Sequence, residues 1–108
     1  MKSSRREKIE AMLIEEPGDI FLRYSLAMEM SSSGETEEAL HEFSKLCDES
    51  PAHVPAFFRS AQILAEEGRL SESRDFLRRG IESARAQGDL HAAAEMGEML
   101  AELGVLGS

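Results

Sequence analysis

A period of 34 residues constrains this chain more than any other feature. Setting Pro17 over Pro51 also superimposes Ala27 on Ala61, Gly34 on Gly68 and Glu38 on Glu72, and it pairs Ile20 with Val54, Tyr24 with Phe58, Met30 with Leu64 and Phe43 with Leu77. The kinds of residue that agree matter more than how many do. They are helix breakers between elements, a small residue inside a helix, and large apolar residues at helical spacing. A unit this short cannot bury its apolar face alone, so successive copies must stack.

Each unit reads as two helices. In the first, Asp19 is an N-cap, and Ile20, Phe21, Tyr24, Ala27, Met28 and Met30 recur at helical intervals until Gly34 supplies a left-handed stop. A second helix opens near the acidic Glu37 and Glu38, buries Ala39, Leu40, Phe43, Leu46 and Cys47, and ends before Pro51. The next unit repeats this plan. His53 or Val54 caps, Pro55 sits in the first turn, Phe57, Phe58, Ala61, Ile63 and Leu64 run to Gly68, and Ser71 caps a helix carrying Phe76, Leu77, Gly80, Ile81 and Ala84. Half-units flank the pair. Ser4-Arg5-Arg6-Glu7 has capping-box spacing ahead of Ile9, Met12 and Leu13, and Gly88-Asp89 opens a last helix with Leu90, Ala93, Met96, Gly97, Leu100 and Leu103 up to Gly104. The expected organisation is one all-α domain over 1–108, with a half-unit helix at 4–16, repeats at 17–50 and 51–86, and a half-unit helix at 89–104.

These residues resemble the tetratricopeptide repeat, whose unit carries W-x2-L-G-x2-Y, then A-x3-F, then P. Over 17–51, Arg23 stands in the Trp place, Leu26-Ala27 matches the Leu-Gly pair, Met30 replaces Tyr, Ala39 and Phe43 match A-x3-F, and Pro51 closes the unit. Over 51–85, Phe57, Ser60-Ala61, Leu64, Ser73 and Leu77 take those places, while Arg85 stands where the closing Pro would be. A third unit slips by two residues, with Met96-Gly97 and Leu100 restoring the pattern. The resemblance implies a right-handed superhelical stack of antiparallel helix pairs whose concave face, lined by the first helix of each pair, binds a peptide or protein. Small Ala27, Ala61 and Gly97 are expected to let paired helices approach closely.

Composition narrows the function. At 42% hydrophobic and 31% charged, the chain has enough apolar side chain to fold but no apolar run approaching a membrane span. With 12 Lys plus Arg against 21 Asp plus Glu, the net charge of -9 repels a phosphate backbone, so neither membrane nor nucleic acid is an expected partner. Cys47 is the one cysteine, which excludes an intrachain disulfide framework. Charged Glu7, Lys8 and Glu10 interrupt any export signal behind the basic N-terminus, so a cytoplasmic location is expected.

Helical position selects the groove candidates: Phe21, Tyr24 and Met28 from the first unit, Phe58 and Gln62 from the second, and His91, Ala94 and Glu98 from the third. Several of these could equally pack against neighbouring helices. One subset of the resembled family grips the C-terminal carboxylate of heat-shock chaperones with Lys, Asn and Arg. This chain has no Asn and puts Tyr24 and Met28 at the first-helix places, which disfavours that reading; Arg23 and Arg59 remain as partners for an acidic group, although a lone Arg on a helix is usually solvated.

Chemistry finds little support. Glu38-x-x-His41 has a di-iron spacing in a single copy where two are required, and Cys47, aligned with Ile81, reads as a buried small hydrophobe rather than a nucleophile with His41 or His53 as base. No catalytic residue, metal or cofactor is expected. Arg69, Arg74, Arg78, Arg79 and Arg85 interleave with Glu72, Asp75 and Glu82 and read as a salt-bridged outer face.

The last helix offers an alternative. Met96, Met99, Leu103, Val105 and Leu106 lack an obvious partner helix, and an apolar array end tends to self-associate. A homodimerising scaffold built through this helix therefore stands beside the peptide-binding adaptor.

Overall fold

The computed structural model describes residues 4–106, with side chains through Gly104. Among them there are six helices and no strand: α1 Ser4–Glu15, α2 Ile20–Ser32, α3 Thr36–Cys47, α4 Val54–Glu66, α5 Leu70–Ala86 and α6 Leu90–Leu106. The chain is an all-α helical repeat, built because each amphipathic helix can cover its apolar side only against the next.

The boundaries follow local chemistry. Asp19 Oδ1 accepts from the Leu22 N–H at 2.9 Å and caps α2, and Asp89 Oδ1 accepts from the Ala92 N–H at 3.1 Å at the start of α6. Gly34, Gly68 and Gly88 hold φ of 81°, 75° and 79°. At all three the chain closes with one hydrogen-bond pattern: Glu35 N to Met30 O at 2.9 Å, Arg69 N to Leu64 O at 2.8 Å and Asp89 N to Ala84 O at 2.8 Å. This is the glycine-terminated cap that satisfies the last helical carbonyls, and it requires a residue without Cβ.

Two boundaries differ from the sequence expectations, at the start of α5 and the end of α6. Leu70 begins α5, with Arg69 rather than Ser71 at the N-cap position and no side-chain cap. That helix has 17 residues against 12 in α3, because Arg85 in place of a closing proline lets it continue to Ala86 before Gly88. Gly104, expected to end α6, lacks positive φ, and the helix runs through it to Leu106.

Two layers result. The outer helices α1, α3 and α5 are laced by charge: Arg6 pairs with Glu35 just before α3, Arg69 Nη1 lies 2.5 Å from Glu37 Oε1, and Arg79 Nη2 lies 3.7 Å from Asp48 Oδ1. Of the expected salt-bridged face, Arg69–Glu72 and Arg79–Asp75 form, with Glu37 and Asp48 as added partners from the neighbouring unit, while Arg74 turns to the Leu103 carbonyl. The inner helices are α2, α4 and α6. The molecule measures 43 × 30 × 18 Å with a radius of gyration of 14.3 Å, above the roughly 13 Å of a compact globule of this length, as an open slab requires.

Between the layers lie Phe43, Leu46, Leu64, Leu77 and Met96, each fully buried. Ala27 and Ala61 are also fully buried and give the close helix approach their size allows. Gly97 does not: a Cβ there would meet nothing within 4 Å. The tight crossing is at Gly80 instead, where a Cβ would lie 2.6 Å from both Phe57 Cβ and Met96 Sδ, so α4, α5 and α6 converge on a position with no side chain.

Candidate functional site

The central inner helix α4 is enclosed on most sides. Val54, Ala56, Phe57, Ser60, Ala61, Ile63 and Leu64 are buried, which leaves one open stripe of Pro55, Phe58, Arg59, Gln62, Ala65 and Glu66. Those positions recur at three- and four-residue intervals and so share a face. On α2 the corresponding stripe is Phe21, Tyr24 and Met28; on α6 it is His91, Ala94 and Glu98.

The residues on this face differ in what they do. Phe21 is 75% exposed, although burying such a side chain would gain roughly 2 kcal/mol or more. Tyr24 is half-buried; its ring meets Phe43 edge-on at 5.4 Å and His53 at 4.9 Å. Burial pushes the Tyr24 phenol up, and the nearby Arg59 charge acts in the opposite direction. Met28 and Phe58 are half-buried and pack against the core, so each gives part of its surface to the fold. Gln62 Oε1 accepts from Arg59 Nη1 at 3.2 Å. His91 and Glu98 are exposed, and His91 Nε2 sits 3.0 Å from Glu95 Oε1 on its own helix.

The structure therefore brings Tyr24, Arg59 and Gln62 together across α2 and α4. It keeps His91 turned along α6. Arg59 joins Gln62 on this face although helical position left it outside the groove candidates; its spacing of three from Gln62 was the signal. Arg23, the other candidate for an acidic group, is already matched by Glu49, at 3.5 Å.

The apolar C-terminal surface needs correction. Met96 is fully buried and Leu103 is 5% exposed, both within the core, because α6 packs against α5 and lays these side chains into the crossing around Gly80. Met99 is half-buried against the same core, and the side chains of Val105 and Leu106 lie outside the described residues.

Cys47 is buried, with its thiol pushed up to about 12 by desolvation, which opposes formation of a nucleophilic thiolate. Glu38 and His41 are both exposed. Among the described residues no group of three or more His, Cys, Asp or Glu side chains could hold a metal ion, and no helix is long and apolar enough to cross a membrane.

Comparison with known proteins bears on this geometry. A family model described as tetratricopeptide repeat matches residues 31–96. The solution structure of a tetratricopeptide repeat domain protein from Salinibacter ruber is 26% identical, with a TM-score of 0.75, over 81% of this chain and 88% of that one. A crystal structure of a Salinibacter ruber tetratricopeptide repeat domain protein is also 26% identical, with a TM-score of 0.73, over 82% and 98%. A Bordetella parapertussis protein solved in solution shares the fold at 23% identity, with a TM-score of 0.79 over 96% and 90%. No curated protein matches at a significant level.

Proposed function

This chain belongs to the tetratricopeptide repeat family, a fold generally used as a protein–protein interaction module, and from that premise we propose that it binds a peptide or protein segment along the face formed by α2, α4 and α6. The observation that carries this reading is the apolar stripe left open on that face, with Phe21 75% exposed in line with Tyr24 and Met28. An aromatic side chain kept in water is unfavourable to the isolated chain and becomes favourable once a ligand covers it. An extended or helical segment with apolar anchors fits such a surface, and one aromatic anchor contributes about 2 kcal/mol or more. The protein would then be a non-catalytic adaptor, and a single buried cysteine suits the cytoplasm.

Self-association through α6 has less to draw on, since Met96 and Leu103 are spent inside the chain. The test is to select binders from a displayed library of short random peptides, then map one onto the labelled protein by NMR shift perturbation. Changes should concentrate on α2, α4 and α6, and Phe21→Ala should weaken binding with little change in melting temperature. Perturbations confined to α1, α3 and α5 would reject the reading.

A further inference from the structure

Arg59 is a half-buried cation without a counter-ion. Its Nη1 donates to Gln62 Oε1 at 3.2 Å, while its Nε is shut off from solvent and has no acceptor. This stands out in a chain with 21 acidic against 12 basic residues, where a carboxylate is the most available partner. Three other covered arginines have one, Arg6 with Glu35, Arg23 with Glu49, and Arg69 with Glu37 and Glu72; Arg74 is half-buried without a carboxylate, but unlike Arg59 it has no buried nitrogen left without an acceptor. Arg74 reaches the Leu103 carbonyl at 3.4 Å. Arg78 and Arg85 are exposed and need only water.

Arg59 also occupies the open stripe of the central inner helix, close enough to Tyr24 to act on its phenol, with Phe58 adjacent in sequence and Gln62 holding one arm of the guanidinium. The guanidinium has five donors in a planar fork that matches the two oxygens of a carboxylate. Partial burial, complete at Nε, strengthens a charge pair formed there and makes the unpaired state costly.

We infer that Arg59 reads a carboxylate side chain of the bound segment, so that the groove selects an extended peptide bearing Asp or Glu beside an aromatic or aliphatic residue. The acid seats on the Arg59 fork and the apolar neighbour covers Tyr24 and Phe58. This rests on the groove reading proposed above and adds the chemistry of its occupant. It uses one arginine near the Tyr24 phenol, without Asn.

The test uses the full chain and the same random-peptide library, selected against wild type, Arg59→Gln and Arg59→Lys, each checked for wild-type helicity. Wild type should enrich Asp or Glu next to an apolar residue. For such a peptide, Arg59→Gln should weaken binding about ten- to a hundred-fold, the worth of a charged hydrogen bond, and Arg59→Lys should restore part of it. Added salt should weaken wild-type binding and leave Arg59→Gln nearly unaffected.

Peptides that depend on Phe21 and Phe58 but show no acidic preference would overturn this inference and leave the groove reading standing. So would an unchanged acidic preference in Arg59→Gln. Selected peptides indifferent to Phe21, Phe58 and Arg59 alike would remove the groove reading and this inference with it. Self-association of the peptide-free chain in sedimentation, lost in Arg59→Gln, would make a second copy the occupant and overturn the acidic-peptide assignment.

Discussion

Replacing Gly80 by alanine adds one methyl group at the point where three helices meet. In a helix interior, Gly→Ala is ordinarily stabilising by about 1 kcal/mol. Here the new Cβ would sit 2.6 Å from Phe57 Cβ and 2.6 Å from Met96 Sδ, against an ordinary carbon contact of about 3.5–4.0 Å. The two contacts are not equivalent. Met96 can swing its thioether, although it is fully buried and must find room in a packed core, whereas Phe57 Cβ is fixed to the backbone of α4. Relief therefore requires α4 and α5 to separate by close to an ångström. Overpacking of this kind costs roughly 1–3 kcal/mol, and two simultaneous clashes place Gly80 at the upper end. After the propensity gain, the net loss should be about 2 kcal/mol, or a fall in Tm of about 8 °C for a chain of this size.

Gly97 provides the internal control. It is also helical, and a Cβ there meets nothing within 4 Å, so Gly97→Ala should gain about 0.5–1 kcal/mol. Urea and thermal unfolding followed by circular dichroism measure both variants. A Gly80→Ala protein as stable as wild type, or a Gly97→Ala protein destabilised to the same degree, would refute the packing argument.

Three further expectations follow from local features. Asp19→Ala removes the side-chain cap on the Leu22 N–H and should cost about 1 kcal/mol, with Asp19→Asn recovering most of it, as read by urea midpoints. Ser60 Oγ is buried with no hydrogen-bond partner, so Ser60→Ala should be neutral or stabilising by about 1 kcal/mol, whereas Ser73→Ala, which deletes a 2.7 Å bond to the Ala61 carbonyl, should be destabilising; equal losses in the two melts would contradict this. Burial holds the His53 imidazole below its ordinary range, so the unfolded chain takes up that proton first. His53 should leave stability unchanged above the unfolded value of about 6.5 and reduce it as pH falls below that, until the folded imidazole also charges. In His53→Gln that part of the acid limb should flatten, and an unaltered limb would show the loss arises elsewhere.

Repetition and punctuation were legible before any coordinate. Gly34, Gly68 and Gly88 each mark a left-handed stop because only glycine takes that backbone conformation without strain, and Asp19 marks a start because its carboxylate can meet a free N–H. Such signals act within a few residues of chain and are therefore written locally. The large residues Phe43 and Leu77 announce a core for the same reason: their period is a property of one helix.

What a side chain meets across the gap between helices is a different kind of fact. Met96 and Leu103 look like an uncovered end when α6 is considered alone, and they are buried because α5 lies against it. Gly97 looks like a close-packing residue and faces open space, while Gly80 carries that role because Phe57 and Met96 arrive from two other helices. Arg59 is an ordinary exposed-helix residue in one dimension; it becomes a half-buried, unmatched cation only when α2 brings Tyr24 alongside and no carboxylate comes with it. Helical periodicity tells which face a residue occupies, but its neighbours belong to segments tens of residues away, and their arrival depends on the packing of the whole stack.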